Sequence, residues 1–226
     1  MSTIKELKTK LEAIPQKQSR KDLVGKLEQY GTLAATASQT LVKCRDEQRY
    51  ARRVFADEDF QKTTEQMRRA IGYATRLGAK LADKIEAVET SEAQFASLSE
   101  AAKIANAALR NRWSDLLTKK IEEFESVVRA AKDANLKGSR SLEQTILRLR
   151  THTNIPPQNS NDCQRIEKDL KSLFESVQTL GLEGPGGQFL VDAAAGRGRA
   201  KDLTNPEISQ FIERYNLWNS LSVRLG

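Results

Sequence analysis

Few side chains in this 226-residue chain have the types and spacing that catalysis needs. The single histidine, His152, stands beside a proline-containing loop. One histidine cannot build a His-rich metal site, and a catalytic triad needs a nucleophile and an acid on either side of it. At the foreseen end of a helix it instead complements the helix dipole. Of the two cysteines, Cys44 occupies a position where a small hydrophobe belongs, which predicts burial rather than reactivity. Cys163 falls in the first turn of an expected helix, where the dipole would lower its pKa, yet no base lies near it in sequence. Carboxylates cluster at Asp57, Glu58 and Asp59 and again at Glu122, Glu123 and Glu125. Neither cluster carries the Glu-x-x-His pairs of a divalent site built on helices. The glycines at 184–187 and 196–198 lie outside a strand–loop–helix context, and no G-x-x-x-x-G-K-[ST] loop occurs. The expectation is no catalytic residue, no cofactor and no metal: a chain that is not an enzyme.

Charge offers a second chemistry. Lys and Arg number 37 against 30 acids, for a net charge of +7 and a pI near 9.4. Arg45, Arg49, Arg52 and Arg53 fall within three turns of one expected helix, and Arg68 and Arg69 lie on the next. Together with Arg197, Arg199 and Lys201 they are the candidate contacts to a nucleic-acid backbone, salt-sensitive and indifferent to sequence. Such a surplus also serves solubility, and outer charges on paired helices neutralise one another. Aromatics make up 6% and fall mostly on expected core faces, so no platform for base stacking is visible. An anionic membrane surface is a further candidate for a basic helical face. The apolar residues that would insert there are, however, already claimed by helix packing. Phe211, Tyr215, Leu217 and Trp218 form the densest aromatic group and are the candidate anchors for a protein partner. The other reading is that they fold back onto residues 141–180.

The elements that position these residues are helical. Leu23, Leu27, Tyr30, Ala34, Ala37, Leu41, Cys44, Gln48, Ala51 and Phe55 follow an unbroken 4-3-4-3 spacing in which only Gln48 is polar. That period keeps one narrow seam on one face of a long helix, roughly 50 Å from end to end. Before it, residues 2–14 read as a short helix stopped by Pro15, with 15–20 as a loop. After it, Asp57 is the expected N-cap of a second helix whose seam runs Phe60, Thr64, Met67, Ile71, Ala74, Gly78, Leu81, Ile85 and Val88. So short a turn makes the two helices antiparallel neighbours, and Ala34, Ala37, Ala74 and Gly78 would let them approach closely. Ser91 and Gln94 open a third helix to about Asn135, ended near Gly138, that either completes a three-helix bundle or runs on to dock elsewhere.

Ser141 starts a fourth helix, and Asp162 caps a fifth that Gly181 and Leu182 terminate. Gly184, Pro185, Gly186 and Gly187 read as a turn or linker, with a short helix over 188–195. Asn205 and Pro206 open a last helix, and residues 221–225 alternate like a strand. The spacing from Asp202 through Pro206, Ile208, Phe211, Ile212, Asn216 and Leu217 to Leu225 resembles C-terminal tails of helical proteins from bacterial mobile-element and phage-defence gene clusters. It covers about the last forty residues and implies a subunit of a defence complex, with no catalytic motif.

The fold class expected is all-α: a long antiparallel helical bundle over 19–137 after an N-terminal piece at 1–18, a helical hairpin over 138–183, and a C-terminal interaction module over 184–226. No apolar run spans a membrane, and the first fourteen residues hold no apolar core of a signal peptide, so a cytoplasmic location is expected. The function expected is a scaffold or adaptor with a protein partner. Nucleic-acid binding and peripheral membrane binding are the alternatives, and self-association through the seam is open.

Overall fold

The structure is a computed structural model that describes residues 2–83 and 91–218, and their side chains except at 2–20, 23 and 81–83. It is all-α. In chain order the helices are α1 (Ser2–Val54), α2 (Gln61–Asp83), α3 (Glu92–Asp133), α4 (Ser139–Arg150), α5 (Ser160–Thr179), α6 (Pro185–Ala194) and α7 (Pro206–Tyr215), with a 3-10 helix at Ala200–Thr204. No helix among the described residues is long and apolar enough to cross a membrane. The strand expected over 221–225 lies outside the described residues.

The chain divides into two compact units, the first from Met1–Gln48 and Asp59–Leu109 and the second from Arg49–Glu58 and Arg110–Gly226. In the first, Tyr30, Ala37 and Cys44 on α1 are buried at heptad spacing, as the seam predicts. Tyr30 and Ala37 meet Leu77 of α2 and Phe95, Leu98 and Ala102 of α3 in one cluster, where the rings of Tyr30 and Phe95 stack at 4.7 Å. Tyr30 beside Phe95 and Cys44 beside Ala105 make α1 and α3 parallel, whereas Gln48 meets the start of α2, which therefore runs the opposite way. Gln48, the one polar seam residue, is buried and satisfied. Its Nε2 donates to Thr64 Oγ1 at 2.9 Å and to the Phe60 carbonyl at 3.4 Å. A polar pair at a single seam position fixes the register of two helices, at the cost of some burial energy.

Several local expectations give way here. Pro15 does not end a helix, because α1 runs unbroken from Ser2 to Val54. A proline removes the backbone bonds of one turn, and the rest of so long a helix is left intact. The cap of α2 is Asp59, whose Oδ1 accepts from Gln61 N–H at 2.7 Å, not Asp57. On α2 the buried residues are Thr63, Met67, Ala70 and Leu77, so the face toward the core is turned away from Ile71, Ala74 and Gly78. A β-carbon at Gly78 would meet nothing within 4 Å, so the expected close approach does not occur there.

The second unit is built around Trp113 of α3, which is fully buried. Its ring lies 5.5 Å from Phe55, and its Nε1 donates to the His152 carbonyl at 2.8 Å. Leu116, Leu117, Ile121, Phe124 and Val128 continue a broad buried face. That breadth is what a helix touching more than one neighbour requires. α4 and α5 pair, joined by Arg148, which reaches Asp169 at 3.0 and 3.2 Å. Asn159 is the cap of α5, accepting from Asp162 N–H, in place of the expected Asp162.

Helices α3, α5, α6 and α7 all end in the same way, with the paired bonds of a left-handed C-cap at Asn135, Gly181, Gly196 and Asn216. Gly138, expected in that role for α3, instead precedes α4 at φ 96°. Gly186 and Gly187 belong to the first turn of α6, behind Pro185, rather than to a linker, and the packing there has no room for a β-carbon. One on Gly186 would lie 2.4 Å from Phe211, and one on Gly187 2.0 Å from the Leu182 carbonyl oxygen.

Candidate functional site

The sequence places its candidate partner anchors on α7, and the fold uses most of them internally. Phe211 and Leu217 are buried. Phe211 packs on Gly186 and on Tyr215 at 5.0 Å between rings, and Tyr215 donates its hydroxyl to the Leu180 carbonyl at 3.0 Å. The group thus folds back on α5 and α6, and only Trp218, 49% exposed, still faces solvent.

The candidate nucleic-acid contacts are distributed over both units, and several are already engaged. Arg53 makes a two-pronged pair with Glu167 at 2.8 and 2.9 Å, which raises its pKa further. Arg197 is held by Asp192 at 3.0 and 3.3 Å, and that contact lowers the Asp192 pKa. Arg45 reaches the neighbouring Asp46 at 3.1 and 3.2 Å. Arg49 donates to the Tyr50 hydroxyl at 3.2 Å and lies over that ring. Arg52, Arg68, Arg69, Arg199 and Lys201 have exposed side chains. Arg199 also opens the 3-10 helix, its backbone N–H donating to Asp202.

Both cysteines are free and buried. Cys44 is buried with its thiol toward the Ala105 carbonyl, and burial, with Glu47 nearby, raises its pKa to about 11. Cys163 was expected to be acidified by the helix start. The reverse holds: burial and its hydrogen bond to Glu167 raise it to about 11 as well. A thiol that donates to a carboxylate is stabilised in its protonated form, and the dipole of one helix turn does not offset that. No cluster of His, Cys, Asp or Glu among the described residues could hold a metal ion.

What the first unit does present is an open apolar groove of about 590 Å³ between α1, α2 and the start of α3. Met67, Leu77, Phe95 and Leu98 are its buried floor. Val42 and Ile71, 48% and 55% exposed, are large hydrophobes left facing water along it. Ala34, Ala74 and Gly78 add small side chains over which another backbone can pass closely. Arg45 and Arg68 are the charged residues of the lining, which contains no carboxylate.

Sequence reasoning named Ile71, Ala74 and Gly78 but assigned them to the seam against α1. The missed signal is that α2 carries two adjacent apolar stripes, Thr63-Met67-Ala70-Leu77 and Ile71-Ala74-Gly78. Together they are wider than one neighbouring helix covers. No family model, curated protein or solved structure matches this chain.

Proposed function

We propose that this chain is a non-enzymatic helical scaffold that binds a protein partner. The observation that carries the reading is the open groove on the first unit, where Val42 and Ile71 stand exposed above a buried apolar floor. Scattered exposed hydrophobes are ordinary, but a contiguous apolar concavity between helices is the usual form of a protein contact. Both thiols are buried and held in their protonated form, which supports the non-enzymatic reading. The resemblance of the C-terminal tail extends the proposal to a subunit of a bacterial defence complex. Binding to a nucleic-acid backbone is the competing reading, and the pairing of Arg53, Arg197 and Arg45 with carboxylates weighs against it.

The test is retrieval of the tagged full-length chain from lysate of its native cells, with and without nuclease, and identification of what accompanies it. A protein present in stoichiometric amount after nuclease is expected. Loss of everything on nuclease treatment would reverse the reading in favour of nucleic acid.

A further inference from the structure

We infer that the groove on the first unit receives an amphipathic helix of a partner protein, apolar along one face and acidic near one end. The inference rests on the scaffold reading and specifies the partner's chemistry. The lining runs along α1 from Ala34 to Arg45 and along α2 from Thr64 to Gly78. At 1.5 Å per residue those stretches are roughly 16 and 21 Å, which is three to four turns of an incoming helix.

α1, α2 and α3 run up, down and up, and a helix laid in the groove would be the fourth member of a bundle. The exposed stripe of α2 shows the period such a neighbour needs. Ile71, Ala74 and Gly78 are spaced by three and four, and small residues at two of those positions admit a backbone at short interaxial distance. An incoming helix would read the groove through apolar residues at i, i+3, i+4 and i+7.

Charge decides which helix. Arg45 and Arg68 line the groove and no carboxylate does; Arg45 is already shared with Asp46, so it is at the exposed Arg68 that an occupant gains by bringing its own acid. A second copy of this chain is a poor match. Its corresponding face would bring another Arg45 and Arg68 and again no acid, on a molecule already at +7. A nucleic-acid strand would leave Val42 and Ile71 in contact with phosphate and water. An acidic amphipathic helix satisfies both the apolar wall and the Arg68 guanidinium.

The probe is a displayed library of helical peptides about 18 residues long, long enough to fill the groove. It is panned against the full-length chain, with the Ile71→Glu chain as counter-selection. Enriched peptides should carry the i, i+3, i+4, i+7 apolar pattern with Asp or Glu near one end. Binding of a synthetic representative should weaken about tenfold or more with Val42→Glu or Ile71→Glu, and about tenfold with Arg68→Glu, read by fluorescence anisotropy. Changing the peptide's acid to lysine should restore binding to the Arg68→Glu chain. Helical circular dichroism of each variant should match the parent, because Val42, Ile71 and Arg68 are exposed. No enrichment over the Ile71→Glu chain, or enrichment without acid, overturns the inference. So does a dimer in light scattering that Ile71→Glu dissociates, since the groove would then belong to a second copy. If the native partner is retrieved from lysate equally well by the Ile71→Glu chain, the scaffold reading stands and the groove assignment falls.

Discussion

Trp113 is fully buried and sends its indole N–H to the carbonyl of His152, so the turn after α4 is tied to α3 through the backbone of a titratable residue. The His152 ring sits half-buried beside it. Burial is the main influence on its pKa and the Arg165 charge the next, and together they take it below the ordinary 6.5 despite Asp162 and Asp169. The consequence for stability has a definite sign. A histidine that binds its proton less readily in the folded state gives stability present above its unfolded pKa. That stability is lost as the pH falls through 6.5 toward the lower folded value. Urea midpoints at about pH 7.5 and pH 5 should therefore differ less for His152→Gln than for the parent chain. An unchanged difference would assign the acid sensitivity to other groups. The sequence suggests a helix-end histidine, which is where His152 lies. Its environment comes from Arg165, Asp162 and Asp169 on α5, and no local pattern announces them. Cys163 carries the same lesson more sharply, since its helix-start position alone predicts the wrong direction.

At the scale of elements, the packing of α6 on α7 depends on a missing side chain. A β-carbon on Gly186 would stand 2.4 Å from Phe211, far inside contact distance, while Gly78 has open space around the same position. Gly186→Ala should destabilise the fold by about 1–3 kcal/mol, through overpacking against a ring that is itself buried. Gly78→Ala should instead stabilise by about 0.5–1 kcal/mol, because it sits in a helix interior with nothing to displace. Equal effects at the two sites, read as thermal midpoints, would contradict this contrast. The same glycines show where sequence reasoning stops. Gly-Pro-Gly-Gly has the composition of a linker, and only Phe211, far along the chain, shows why Gly186 has no room for a side chain. The seam of α1 is legible because its period is a property of one helix and one buried face. The face of α2 is not, since Leu77 packs into a core that includes Phe95 and Leu98 of α3. The groove is what that competition leaves uncovered.

For the molecule as a whole the open question is what the surplus of positive charge is for. Counted on the sequence, the surplus suits a polyanion, but the side-chain geometry reduces what such a ligand would find. Arg53 is committed to Glu167, Arg197 to Asp192 and Arg45 to Asp46, and Arg49 turns onto Tyr50. Among the other candidates, Arg68 and Arg69 belong to one unit and Arg199 and Lys201 to the other. A cation must release a condensed counterion to contribute to duplex binding, and one already neutralised by a carboxylate contributes little. Each phosphate neutralised adds about 0.9 to the slope of log affinity against log salt concentration, so these four give a slope no steeper than about −4. Titrations of the full-length chain with duplex DNA between about 50 and 200 mM salt should show weak binding with that shallow slope. The triple change of Arg45, Arg49 and Arg52 to Glu should alter it by less than about one phosphate. A slope steeper than about −5, abolished by the triple change, would mean that the arginines leave their carboxylates for phosphate. The basic face of α1, rather than the groove, would then be the working surface of the protein.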